Sequence, residues 1–483
     1  MGIPLDIGDR LEPFVDDWLI EELRVAALVL HRPVPREPAL VTDRPWEGNM
    51  CHYITVLRDG GICRMYYSTW HGRFDQATDG TVKLRKWPLR VACAESLDGI
   101  HWRRPQLGLI EVDGSSRNNV VWIGVGEESR GTEGFSPFID RNPKCPSDER
   151  YKAVGSGAGG GHLWAMVSPD GYRWRMLQDT PIMSGLPFDS QNLAFYDSFR
   201  GEYRAYLRDN SHGIRGIKTA TSQDFHHWSE PKWLVYSDEA VQQLYTNQIQ
   251  PYPRAPHIFV GFPTRYTERK WCAAIEAMTE PEHRRLRAGA SERFGTAVTD
   301  GLFMSSRDGE TFRRWNEAFL RPGPRAEGSW TYGDMYQAWG LLETESDLAG
   351  APQELSLFAT EGYWHGTSTL FRRYTLRVDG FVSVNAPFRG GEMVTKPLTF
   401  SGSRLTLNMA TSGAGSIRVE IQNADGKPLD GFSLTDCNEV IGDELARMVS
   451  WTGGEDLSQF VGRPVRLRFA LTDADLYAVR FAK

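Results

Sequence analysis

Along most of the chain, apolar residues come in short runs that alternate with polar ones, and Gly, Asn, Asp or Pro bounds each run. A period of two predicts β-strands rather than helices. One punctuation mark recurs, Ser-x-Asp-Gly-x-x-Trp. It stands at Ser96 to Trp102 and at Ser168 to Trp174. It returns at Ser222 to Trp228, with Phe225 in place of the glycine, and at Ser306 to Phe312, ending in Phe. A faint further copy is Asp379-Gly380-Phe381. The chemistry is that of a hairpin turn: Asp accepts backbone N–H groups, Gly supplies positive φ, and the aromatic folds back on the sheet.

Each full copy follows an extended run such as Arg90 to Ala94 or Leu163 to Val167, so it joins the third and fourth strands of a small antiparallel sheet. Earlier strands are expected at His52–Leu57 and Ile62–Ser68, at Phe135–Asp140 and Arg150–Gly155, and at Leu193–Asp197 and Tyr203–Arg208. Two more pairs are expected at Gln248–Tyr252 and His257–Phe262, and at Met335–Leu342 and Glu354–Thr360. Five such units with one turn signature predict an all-β chain, a five-bladed β-propeller over 1–386. The stretch from about 267 to 297 breaks the pattern and reads as an insertion in blade four, either a lid or a plain surface excursion. Asp16 and Asp17 precede blade one, in a segment expected to close the ring. From 387 to 483 short alternating strands separated by Gly, Asn and Asp predict a β-sandwich.

Composition narrows the function. The net charge of −7 argues against a nucleic-acid or anionic-membrane partner, and no apolar run approaches the roughly 20 residues of a membrane span. The start, Met1 to Asp6, lacks the basic and apolar segments of a secretory leader, so a cytoplasmic location is expected. Six cysteines without a Cys-x-x-Cys pair, and scattered His, predict free thiols, no metal and no cofactor. The 16 Trp suit both core packing and stacking on sugar rings.

Five blades with Ser-x-Asp-x-x-x-Trp turns followed by a sandwich resemble the invertase/fructanase glycoside hydrolases of family 32, and the propeller is similar to the arabinanases of family 43. The resemblance implies a carbohydrate substrate. By analogy with sialidase propellers, it also implies that Asp98, Asp170 and Asp308 are structural. The Trp-Met-Asn-Asp-Pro-like start, Arg-Asp-Pro segment and Glu-Cys pair of the fructan enzymes have no counterpart, so linkage specificity is not carried over.

In such propellers the pocket lies where first strands begin and second strands end. The resemblance therefore implies a ring of candidates: Trp46, Glu47 and Asn49; Glu133; Asp189, Gln191 and Asn192; Tyr245 and Asn247; Trp330 and Tyr332; and His71, Arg208, Arg265, Glu361 and Tyr363. Glycoside hydrolysis needs two carboxyl groups, one protonated and one ionised. By position Glu47 corresponds to the nucleophile, Glu133 to the transition-state stabiliser and Asp189 to the acid/base, with Glu361 a further acid. A non-catalytic carbohydrate-binding propeller remains open. So does a glycoside phosphorylase using Arg208 and Arg265 for phosphate.

Overall fold

The computed structural model describes residues 3–483. Five sheets surround an axis, each contributing four radially ordered strands. Their innermost strands are His52–Asp59, Glu133–Ile139, Leu193–Asp197, Gln250–Tyr252 and Leu342–Thr344. Blade five takes its outer strand from Val34–Val41, which pairs with Leu370–Arg377 and closes the ring. Closure thus lies downstream of Asp16 and Asp17, which instead pair with Arg307 and Arg313 of blade four.

The four full turns are built alike. Ser96 Oγ accepts the Gly99 N–H at 2.8 Å, and Asp98 Oδ1 accepts those of Ile100 and His101 at 2.8 Å. The same bonds recur at Asp170, Asp224 and Asp308. Backbone φ is +79° at Gly171 and Gly309, where a Cβ would strike Tyr66 and Arg64 of blade one or Tyr206 and Arg204 of blade three. Tyr66 and Tyr206 hydroxyls donate to the Gly171 and Gly309 carbonyls at 3.0 Å. Each turn therefore fastens its blade to the preceding one. Phe225 holds the same backbone region at +68° without being glycine, and its ring packs on Phe138 and Tyr203.

Residues 5–30 differ from the expected boundary. Leu5–Gly8, Glu12–Pro13, Ile20–Arg24 and Ala27–Leu30 all join the C-terminal sheet. Ile7, Phe14, Leu19, Ile20 and Ala26 are buried in the same core as Leu405, Ile417 and Phe469. Val382–Ala386, placed in the propeller by sequence, also pairs there. Such pairing spans hundreds of residues and leaves no local mark. This C-terminal sheet has ten strands, and Arg404–Asn423 pairs with Val465–Ala482 along most of its length, with an irregularity between Thr411 and Ser416. Buried Glu12 ties the two domains together. It accepts from Arg307 Nη1 at 3.0 Å and lies 3.2 Å from His257 Nε2. Burial pushes its pKa up, but these partners win and hold it at about 2.

The insertion holds three helices, Ala273–Glu276, Pro281–Ala290 and Glu292–Thr296. They lie against a hairpin from blade one, Gly72–Gln76 with Val82–Lys86. Gly289 leaves room for Val82, and Phe74 meets Phe294 with ring centroids 6.3 Å apart. All six cysteines are unpaired. Among the described residues no helix is long and apolar enough to cross a membrane.

Candidate active site

Where inner strands begin, five tyrosines converge. Tyr53 opens blade one, Tyr245 precedes blade four, Tyr332 and Tyr336 precede blade five, and Tyr363 follows its second strand. Tyr336 stacks on Tyr245 at 5.1 Å and lies parallel to Tyr53 at 6.3 Å. Tyr332 OH donates to Tyr245 OH at 2.8 Å. Burial, then their mutual repulsion as phenolates, keeps Tyr53, Tyr332, Tyr336 and Tyr363 protonated far above the ordinary tyrosine range. These phenols are hydrogen-bond donors rather than nucleophiles.

His52 completes this wall, 5.7 Å from Tyr363 and 5.9 Å from Trp70 between ring centroids. Its Nδ1 donates to the Met50 carbonyl at 2.5 Å. Burial lowers its pKa to about 4, so Nε2 carries a lone pair at neutral pH. The end of the ring where these tyrosines gather, its mouth, also holds the half-buried carboxyl of Glu133. Burial raises its pKa, opposed by the charges of Lys86 and Arg208. Arg208 in turn pairs with Asp189, whose side chain is 56% exposed. The mouth thus combines a carboxyl whose pKa is raised by burial, an exposed carboxylate and a guanidinium near both. Arg293 of the insertion sits over Tyr332 at 5.5 Å, and Phe294 packs on Trp364 at 4.9 Å. The insertion therefore covers one side of the mouth.

Beneath the mouth a glutamine network crosses the axis. Gln248 Nε2 donates to Gln191 Oε1 at 2.5 Å and to the Gln337 carbonyl at 2.9 Å, and Gln191 reaches Thr55 Oγ1 at 3.2 Å. Gln191 is thus an interblade tie.

The other anticipated residues divide sharply. Glu47 has a fully buried side chain, held by Arg104 through two bonds of 2.8 Å and by Tyr67 OH at 2.5 Å. Glu361 accepts Arg372 Nε at 2.8 Å and Tyr374 OH at 2.6 Å, and lines a separate 680 Å³ cavity between blades four and five. Both carboxylates are already satisfied by cations and phenols. Asn49 bridges Gly366 and Gly72, Asn192 ties Phe188 to Arg208, and Asn247 reaches the Gln191 carbonyl. Arg265 is held by Asp300 at 2.6 and 2.9 Å and borders another cavity with Trp330. Trp46 donates to Asn119 at 2.8 Å and, with His71, lines a cavity beside the mouth. Of the anticipated set, Glu133, Asp189, Arg208, Tyr245, Tyr332 and Tyr363 gather at one place.

Sequence reasoning passed over His52, Tyr53, Lys86, Arg215, Arg293 and Tyr336. It also passed over Asp334, buried beside the cavity that Glu361 lines. Burial drives the Asp334 pKa to about 7, although its oxygens accept the Thr331 and Tyr363 N–H groups at 3.0 and 3.1 Å. Tyr53 and Tyr336 were within reach, since each lies within two residues of an expected strand end. Lys86, Arg215 and Arg293 carried no local signal.

No family model matches the chain, and no curated protein sequence matches it. Solved structures similar in outline include a family 32 β-fructofuranosidase from Bombyx mori, at 11% identity and a TM-score of 0.41, covering 92% of this chain and 94% of that one. The catalytic domain of a Coprinopsis cinerea family 62 α-L-arabinofuranosidase is 10% identical, with a TM-score of 0.41, covering 72% of this chain and 97% of its own. An N-acetylgalactosamine deacetylase from F. plautii is 12% identical, with a TM-score of 0.40, covering 72% and 96%. At these values no activity is read from the likeness.

Proposed function

We propose that the protein is a glycoside hydrolase acting on a furanoside or related sugar at the axial mouth. Glu133 is the acid and Asp189 the ionised partner, base or nucleophile. The observation that carries this reading is the pair itself: a carboxyl whose pKa is raised by burial, one blade away from an exposed carboxylate, with Arg208 joined to the latter. Two carboxyls in different protonation states are what glycosidic cleavage requires. The protonated tyrosines supply donors and flat faces for a sugar.

A panel of aryl furanosides and pyranosides, with and without inorganic phosphate, should reveal turnover. Glu133→Gln and Asp189→Asn should each reduce it by about 10²-fold or more with the fold retained. Near wild-type turnover in both variants would sink the assignment. A binding propeller without turnover is the second reading, favoured by the full neutralisation of Glu47 and Glu361. Carbohydrate binding by calorimetry with no cleavage of any panel member would select it.

A further inference from the structure

The charges around the mouth run against the chain as a whole. The protein carries a net −7, yet four cations border the tyrosine cluster: Lys86, Arg208, Arg215 and Arg293. Arg208 is the one that forms an ion pair here, with Asp189. Arg215 is bonded to the neutral amide of Gln243 and lies 4.6 Å over Tyr266 and 5.5 Å over Tyr245. Arg293 lies 5.5 Å over the Tyr332 ring and 5.0 Å over that of Phe294. Lys86 lies 4.5 Å over the Trp70 ring. Among the described residues none of these three lies within 4 Å of a carboxylate oxygen, although ion pairs bind most arginines elsewhere in the chain. The exposed carboxylate of Glu268 accepts from Tyr266 OH at 2.9 Å.

A guanidinium lying over an aromatic ring is fixed in plane while its N–H edge stays open. That edge matches a carboxylate in two-point geometry. We infer that the saccharide accepted at this mouth is acidic, with a carboxylate on the sugar ring that meets Arg293, Arg215 and Lys86. This rests on the axial mouth being the carbohydrate site, and it specifies the charge of the sugar rather than its ring size. Lys86 comes from the blade-one hairpin and Arg293 from the blade-four insertion. An anionic sugar would therefore be clamped by the two segments that cover the mouth.

The test pairs acidic and neutral twins. Aryl glucuronides and galacturonides, in both anomers, are compared with the corresponding glucosides and galactosides. In parallel, migration is followed in native gels containing polygalacturonate, alginate or glucuronoxylan against arabinan, levan or galactan. The expected result is cleavage or retardation by an acidic member, at least about 10-fold above its neutral twin. Arg293→Met and Lys86→Met should each reduce it roughly 10- to 100-fold. Lys86 is exposed, so its variant should fold even if that of Arg293 does not. Generic attraction would not mimic this, because the protein is itself anionic. Equal or faster cleavage of neutral twins overturns the inference and leaves the hydrolase standing. Retardation by an acidic polymer with no cleavage of any substrate leaves the inference and removes the hydrolase. No interaction with any acidic member overturns the inference.

Discussion

The two faces of the propeller use carboxylates in opposite ways. On the face bearing the turns, Asp98, Asp170, Asp224 and Asp308 sit in near-identical surroundings. Burial pushes their pKa values up, yet hydrogen bonds from neighbouring N–H groups win and hold each below the usual range. At the opposite face no two carboxyls share an environment: Glu133 is pushed up, Asp189 is exposed beside Arg208, and Glu47, away from the mouth, is neutralised by Arg104. Repetition marks structure and irregularity marks chemistry. A carboxylate that satisfies its own backbone has nothing left to offer a ligand, whereas one held by a distant cation can be tuned.

The largest test of this contrast is catalytic. Glu133→Gln should cost about 10²-fold or more in turnover, while Asp98→Asn should leave kcat unchanged. A comparable loss in both would erase the distinction between the faces.

Stability should respond most at the domain junction. Glu12→Gln leaves Arg307 with Asp16 alone and His257 without a carboxylate in a buried site, which should cost about 3 kcal/mol. The effect is read from chemical denaturation. Its sign with pH follows from the depressed pKa: the contribution of Glu12 is present above its unfolded value near 4.5 and fades as pH falls towards about 2. The difference between wild type and variant should shrink over that window.

Asp334 should behave the opposite way. Its folded pKa of about 7 lies above the unfolded 3.8, so the native state binds the proton more tightly. Stability from this group is present below pH 3.8 and declines as pH rises to 7, by a few kcal/mol in order of magnitude. Asp334→Asn should flatten the pH dependence of the melting temperature across that range. An unchanged slope would show that Asp334 is ionised throughout.

The smallest effect belongs to a single turn. Asp170→Ala removes a carboxylate that accepts from Tyr172 and Arg173 N–H groups at 2.8 Å. The cost should be about 1–2 kcal/mol, as for a lost helix cap, with no change in ligand binding.

The propeller was legible because its signals are local. Alternation sets the strands, and the Ser-x-Asp turn states its own hydrogen bonds within four residues. Blade strands accordingly lie close to their expected places, apart from the inner segment of blade five. There Gly340 takes φ of +105° and Trp339 pairs in parallel with Thr55, so regular pairing begins only at Leu342. For the candidate site, strand ends on one face of a ring must meet, and six of the anticipated residues do gather there.

What sequence by itself determined is therefore the strand count, the turn chemistry and the general location of the mouth. Tertiary structure alone decided which carboxylates are free. Glu47 meets Arg104 across 57 residues, and Glu133 feels Lys86 and Arg208. It also decided that residues 5–30 belong to the sandwich, since Leu5 meets Leu398. The physical reason is common to both. Burial and ion pairing depend on distances through space, and a chain folded into a ring brings together residues whose separation in sequence says nothing of that distance.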